Sequence, residues 1–137
     1  MKAKVYLQKI TFYDARIESN IEKIKTYKES AENKTSNLSP NKVQTSSSKQ
    51  KTENAVCSYV DLERIIKTIE KNKQEIIDTI CSLEPFESTV LYKCYVDKKT
   101  LWEISIEMDR SYSWVTKLHG KGVKSVQAIL DNREKVG

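Results

Sequence analysis

The feature that most limits the fold of this chain is a pair of long segments in which apolar residues recur at alternating intervals of three and four. This heptad spacing places apolar side chains on one face of a helix, whereas a half-buried strand would need an interval of two. Residues 4–33 and residues 55–83 therefore each predict one long α-helix. The apolar positions are Leu7, Ile10, Ile17, Ile21, Ile24 and Ala31 in the first segment, and Tyr59, Leu62, Ile66, Ile69, Ile76, Ile80 and Leu83 in the second. Because the 137 residues include only 3 Gly and 2 Pro, few helix breakers interrupt the chain, and the expected fold class is all-α.

The two predicted helices are expected to fold back on each other as a long antiparallel hairpin. In such a hairpin the residue numbers of facing positions have a nearly constant sum, and this sum is 87 when Leu7 faces Ile80. The same register sets Asp14 opposite Lys73, which would pair the opposite charges that interrupt the two apolar faces. This match favours a hairpin within one chain over two independent dimer interfaces.

The chain is expected to divide into two domains. The Ser/Thr/Asn/Lys-rich composition of residues 34–54 predicts a flexible connection between the two long helices. Pro85 ends the second helix, because the residue before a proline is pushed out of helical geometry. The sequence thus predicts a helical hairpin over residues 1–84 and a separate helix-turn-helix domain over residues 85–137.

Within the C-terminal part, residues 99–126 have the spacing of a helix-turn-helix. The apolar residues that would hold two short helices around a tight turn are Ile104, Met108, Val115 and Leu118. Thr100 and Ser111 are the expected N-caps, because their hydroxyls can accept hydrogen bonds from the free amides of a first helical turn. A DNA-binding helix-turn-helix lays its second helix in the major groove, with the first residues at base edges. The candidate DNA-binding residues are therefore Tyr112, Ser113, Thr116 and Lys117, followed by Lys121 and Lys124 toward the phosphates.

The residues of this stretch also carry a family resemblance. They are Thr100-Leu101-Trp102-Glu103-Ile104-Ser105, Met108-Asp109-Arg110-Ser111, Val115 to Leu118 and Lys121-Gly122-Val123. This pattern is similar to region 4, the promoter-reading domain of sigma-70-type sigma factors. The whole chain, including Leu38 to Gln44, resembles small Gram-positive phage proteins related to the ArpU-type late transcription regulators. The resemblance implies a three-helix DNA-binding domain with a supporting helix after Pro85, in a phage or prophage transcription regulator.

Two positions depart from the sigma-like pattern at the turn. Asp109 stands where the turn usually has glycine, and Arg110 stands where an apolar residue is usual. These departures predict a looser turn than in a typical member of the family. Two amphipathic helices without a DNA-binding role are the alternative to this interpretation.

Charge and cysteine content limit the partners and the compartment. The net charge is +5, and residues 110–135 contain six basic residues against two acidic ones, so the positive charge concentrates on the proposed recognition helix. The three cysteines, Cys57, Cys81 and Cys94, form an odd set without a Cys-x-x-Cys pair. No signal peptide or apolar run of membrane length is present. The protein is expected in the cytoplasm of the bacterial host cell, with no membrane partner.

The sequence gives no indication of catalysis. It contains no Gly-rich phosphate loop, no His pair at metal-binding spacing and no nucleophile-base grouping, so we expect no enzyme, no cofactor and no metal site. Glu103 and Glu107 lie four residues apart and are expected to be solvated charges rather than an acid-base pair. His119, the only histidine, is expected to be a partly exposed surface group.

Two functions remain open at this point. The preferred one is a sequence-specific, sigma-like transcription regulator that binds double-stranded DNA through its C-terminal domain. Its hairpin would then contact RNA polymerase or form a homo-oligomer with a second copy of the chain. The alternative is a structural or interaction protein, such as a phage packaging or assembly adaptor, whose helical hairpin binds a protein partner.

Overall fold

The protein is all-α, as the apolar spacing predicts. The computed structural model describes the backbone of residues 1–36 and 45–136 and the side chains of residues 1–30 and 59–136, and these ranges contain helices and no strand. The helices are α1 (Ala3–Ser36), α2 (Thr45–Cys81), α3 (Pro85–Leu91), α4 (Leu101–Glu107) and α5 (Tyr112–Val136). A π-helical turn, Tyr92–Val96, continues α3.

The first two helices extend further into the polar segment than expected. Three residues of the predicted flexible connection, residues 34–36, belong to α1, and ten, residues 45–54, belong to α2. Lys, Gln and Glu, which are frequent in residues 49–53, are good helix formers, so a polar composition alone does not end a helix. The rest of the predicted connection, residues 37–44, lies outside the described residues.

The chain forms two compact units, one of Met1–Tyr13 with Lys71–Gly137 and the other of Asp14–Glu70. The division between them does not coincide with the boundary predicted at residues 84 and 85. The core of the first unit explains why, because residues from both ends of the chain share it. The buried members of this core are Ala3, Leu7, Ile10, Ile76, Ile80, Leu91, Val126 and Leu130. The C-terminal helices thus bury their apolar faces together with the start of α1 and the end of α2.

Hydrogen bonds hold the end of α5 in the same unit. The Arg133 guanidinium donates to Thr79 Oγ1 at 3.0 Å and to the Tyr6 hydroxyl at 3.3 Å. The N-terminal ammonium of Met1 donates to Glu134 Oε1 at 2.9 Å. The charged residues from Asp131 onward are therefore helical as far as Val136.

A second buried cluster joins α3, α4 and α5. Its fully buried members are Val90, Ile104 and Val115, and the partly buried side chains packed on it are Cys94, Leu101, Met108, Trp114 and Leu118. All four apolar residues expected to hold the two short helices together belong to this cluster. Both predicted N-caps are also present: the Thr100 hydroxyl accepts from the Glu103 amide at 3.2 Å, and the Ser111 hydroxyl accepts from the Trp114 amide at 3.1 Å.

The second unit contains the later part of α1 and the first half of α2. Its buried residues include Asn20, Ile24 and Ile69. Ile21, which the heptad spacing places on the apolar face, is 52% exposed, and Asn20 is buried one turn before Ile24 instead. The Lys28 ammonium lies 3.9 Å from Glu63 Oε1 and 5.4 Å from the centroid of the Tyr59 ring. This cation interrupts the apolar spacing of α1 and is stabilised by a carboxylate and an aromatic ring.

Candidate nucleic-acid interface

Helix α5 has one buried side and one exposed side. Val115, Gly122, Val126 and Leu130 form the buried side. At 3.6 residues per turn, the opposite side carries exposed residues that we call the basic face of α5. Its members are Ser113, Lys117, Gly120, Lys121 and Lys124.

The structure divides the six candidate DNA-binding residues into two groups. Ser113, Lys117, Lys121 and Lys124 share the basic face. Thr116 lies at the edge of that face, where its hydroxyl donates to the Tyr112 carbonyl at 2.8 Å. Tyr112 lies apart from the face: its ring is 6.5 Å from that of Trp102, and its side chain is 50% exposed.

The orientation of α5 is set by a tight turn after α4. Asp109 has a φ of 54°, the left-handed conformation that favours glycine and that Asp tolerates better than most other residues. The Arg110 amide donates to the Ser105 carbonyl at 3.0 Å, and the Asp109 amide donates to the Ile106 carbonyl at 3.2 Å. Asp109 therefore takes the backbone conformation that a glycine would take at this turn.

Aromatic contacts support the start of α5. The Arg110 guanidinium lies 5.1 Å from the centroid of the Trp114 ring, and Trp114 meets Phe86 edge to face at 5.7 Å. This distance is within the range of a cation–π interaction between Arg110 and Trp114. Trp114 packs on the second buried cluster, whereas Trp102 is 62% exposed.

Charge pairing separates the lysines of this region into two kinds. Glu107, at the end of α4, accepts hydrogen bonds from both Lys93 and Lys99. Both bonds lower the pKa of Glu107, and the bond from Lys93 has the larger effect. The hydrogen bond to Glu107 raises the pKa of Lys99. Among the described side chains, no carboxylate forms an ion pair with Lys117, Lys121 or Lys124. The positive charge of the basic face is therefore not neutralised within this part of the chain.

Sequence reasoning missed the ion cluster of Glu107. Lys93 follows α3, Lys99 precedes α4 and Glu107 ends α4, so no helical spacing relates the three residues. Glu107 is exposed, as expected of a solvated charge, and two different segments also bring ammonium groups to it.

His119 faces away from the basic face. Its Nε2 lies 3.0 Å from the Tyr95 hydroxyl, and the two rings stack with centroids 5.7 Å apart. Burial lowers the pKa of His119, with a smaller contribution from the Lys4 cation, and burial raises the pKa of Tyr95 to about 12. As expected, His119 is partly exposed, and it lies beside Tyr95 on a side of α5 away from the basic face.

The described residues include two cysteine side chains and no candidate metal site. Their side chains contain no group of three or more His, Cys, Asp or Glu residues that could hold a metal ion. Cys81 and Cys94 are free thiols, and burial raises the pKa of Cys94. Among these residues, no helix combines the length and the apolar character needed to cross a membrane.

Comparison of the chain with protein-family models, with curated proteins and with solved structures gave no match.

Proposed function

We propose that this protein binds duplex DNA in a sequence-specific manner through the basic face of α5, as a sigma-like transcription regulator of phage or prophage type. The observation that supports this proposal best is a set of three cations on the exposed side of one helix, Lys117, Lys121 and Lys124, which form no ion pair with the described residues. The opposite side of that helix is fixed in a buried core, so the cations are presented on a rigid element.

The arrangement of the turn and the two helices fits insertion of α5 into the major groove. An α-helix fits the width of that groove, and the residues in the first turns of the inserted helix meet base edges. Ser113 and Lys117 occupy those turns, and Lys117 can donate to the N7 and O6 acceptors of guanine. Lys121 and Lys124 lie one to two turns further along, where phosphate oxygens are the expected partners.

The N-terminal helices are proposed to form an antiparallel hairpin that contacts RNA polymerase or a second copy of the chain. One contact in each unit supports the pairing: the Tyr6 hydroxyl lies 3.1 Å from Thr79 Oγ1, and Lys28 lies over the Tyr59 ring. The residue numbers in these two pairs add to 85 and 87, close to the sum that the apolar spacing predicts.

A charge-matched pair of variants tests the proposal. The first variant replaces Lys117, Lys121 and Lys124 by Gln, and the control replaces the exposed Lys23, Lys25 and Lys67 by Gln. Each change removes three charges and lowers the net charge from +5 to +2. Duplexes enriched from a random pool by the unmodified protein serve as the probe in a mobility-shift titration.

Loss of binding in the α5 variant alone would support recognition through the basic face. Equal weakening in both variants would mean that net charge rather than this surface attracts DNA, and would contradict the proposal.

A protein-binding adaptor is the second candidate function. It is favoured by Val5 and Phe12, which lie two turns apart on one side of α1 and are 51% and 59% exposed. An exposed apolar pair at this spacing suits a helical protein partner. An unmodified protein that leaves the mobility of every duplex unchanged would favour this candidate over DNA binding.

A further inference from the structure

Gly120 lies in the interior of α5, and the described part of the chain gives no structural reason for a glycine there. It is helical and has no positive φ, so it does not use the conformational freedom of glycine. A Cβ at this position would meet no atom of the described residues within 4 Å. Glycine in a helix interior is less favourable than alanine, so the missing side chain is a cost to the fold.

The neighbouring glycine, Gly122, shows what an internal reason looks like. It is buried, and a Cβ there would lie 2.9 Å from both Cγ and Cδ1 of Leu91. Gly122 thus permits the close approach of α5 to α3. Gly120 lies two residues away and on the opposite side of the helix, where nothing within the described part of the chain approaches it.

The position of Gly120 on the basic face suggests an external reason. Lys117 precedes it by three residues and Lys124 follows it by four, so both lysines border it on the same side of α5. A glycine in such a place lets a ligand reach the helix backbone, while long side chains on either side extend past it. A position without a side chain, placed between two cations, suits a polyanion that has to come close to the helix axis.

We propose that Gly120 is the point at which the backbone of α5 comes closest to duplex DNA. A methyl group at this position would hold the helix away from the groove and lengthen the contacts of Lys117 and Lys124 together. The inference rests on the proposed DNA binding and adds to it the depth at which the helix sits. It requires that Gly120→Ala stabilises the fold and at the same time weakens binding to duplex DNA.

The test compares the full-length protein with Gly120→Ala, Gly120→Leu and Asn72→Ala. Asn72 is exposed on α2, so Asn72→Ala raises helix propensity without touching the basic face. Thermal melting reports stability, and titration of a labelled duplex enriched by the unmodified protein reports affinity. Both alanine variants should melt at a higher temperature than the unmodified protein.

Affinity should separate them. Gly120→Ala should bind about tenfold more weakly, the size expected for one lost contact, and Gly120→Leu more weakly still. Asn72→Ala should bind as the unmodified protein does. Unchanged affinity in Gly120→Ala would overturn this inference and leave the proposed function standing. Failure of the unmodified protein to bind any duplex would overturn both.

Discussion

Replacing Gly122 by alanine should destabilise the protein, although alanine is the better helix former. The added Cβ would lie 2.9 Å from two atoms of the Leu91 side chain, whereas carbon atoms pack best at about 3.5–4.0 Å. Leu91 is 0% exposed, so it cannot turn toward solvent to make room. Overpacking of this kind costs about 1–3 kcal/mol, while the gain in helix propensity is at most about 1 kcal/mol. We expect a net loss of up to about 2 kcal/mol in the free energy of unfolding.

Gly120→Ala is the matched control for this experiment. It makes the same chemical change in the same helix, but its Cβ meets nothing within 4 Å, so only the propensity gain remains. The two variants should therefore differ by the overpacking cost alone, about 1–3 kcal/mol. Urea unfolding followed by circular dichroism measures both values.

A double-mutant cycle with Leu91→Ala identifies the clashing partner. Leu91→Ala alone should cost about 2–5 kcal/mol, because it leaves a cavity in a fully buried site. In the Gly122→Ala background the same change should cost less, with a coupling of about 0.5–3 kcal/mol, since it also relieves the clash. A clash between Gly122→Ala and Leu91 would be refuted if Gly122→Ala were as stabilising as Gly120→Ala, or if its effect and that of Leu91→Ala were additive.

Three further predictions concern the turns and the titratable groups. Lys98 and Asp109 both have positive φ, a conformation that glycine adopts at less cost. Lys98→Gly should therefore raise the free energy of unfolding by up to about 1 kcal/mol, and Asp109→Gly should raise it less because Asp tolerates this conformation better. A lower melting temperature in both variants would contradict the positive φ of these two residues. Hydrogen bonds from Lys93 and Lys99 lower the pKa of Glu107, so the unmodified protein should be more stable than Glu107→Gln at neutral pH. This difference should disappear as the pH falls through the lowered pKa, below 4.5. A difference that persists in acid would count against the pairing of Glu107 with the two lysines. Burial lowers the pKa of His119, so an NMR titration should give a midpoint below 6.5. The free energy of unfolding should fall as the pH drops below the pKa of His119 in the unfolded chain, because the unfolded chain binds the proton first. A midpoint above 6.5 would show that His119 is not buried beside Tyr95.

Local features of the fold could be predicted from the sequence because neighbouring residues determine them. The spacing of Ile104, Met108, Val115 and Leu118 placed all four in one buried cluster, and Thr100 and Ser111 cap the helices that follow them. In each case the relevant partner lies within a few residues or on the adjacent helix, so periodicity and capping chemistry are sufficient.

Features that depend on contacts between distant residues could not be predicted in this way. The end of α5 is helical because Arg133 reaches Thr79 and Glu134 reaches the amino terminus, and neither contact leaves a trace in the local pattern. The exposure of Trp102 is of the same kind, since only the arrangement of the helices decides which aromatic ring is covered.

Only the part of the candidate interface that depends on spacing within α5 could be predicted from the sequence. Helical periodicity is enough to put Lys117, Lys121 and Lys124 on one side of α5. The different environments of Gly120 and Gly122, by contrast, follow from the position of Leu91 on α3, which the spacing within α5 does not contain.

The central claim, that the basic face of α5 binds duplex DNA and divides its contacts between bases and phosphates, is tested most directly by binding profiles over a duplex library at several salt concentrations. The unmodified protein is compared with Lys117→Ala and Lys124→Ala. Lys124→Ala should weaken all sequences alike and lower the slope of log affinity against log salt by about 0.9, the value for one lost phosphate contact. Lys117→Ala should instead flatten the preference at one or two base pairs, with a loss of about 1–3 kcal/mol of discrimination. Salt slopes and sequence profiles that are identical in all three proteins would contradict the claim.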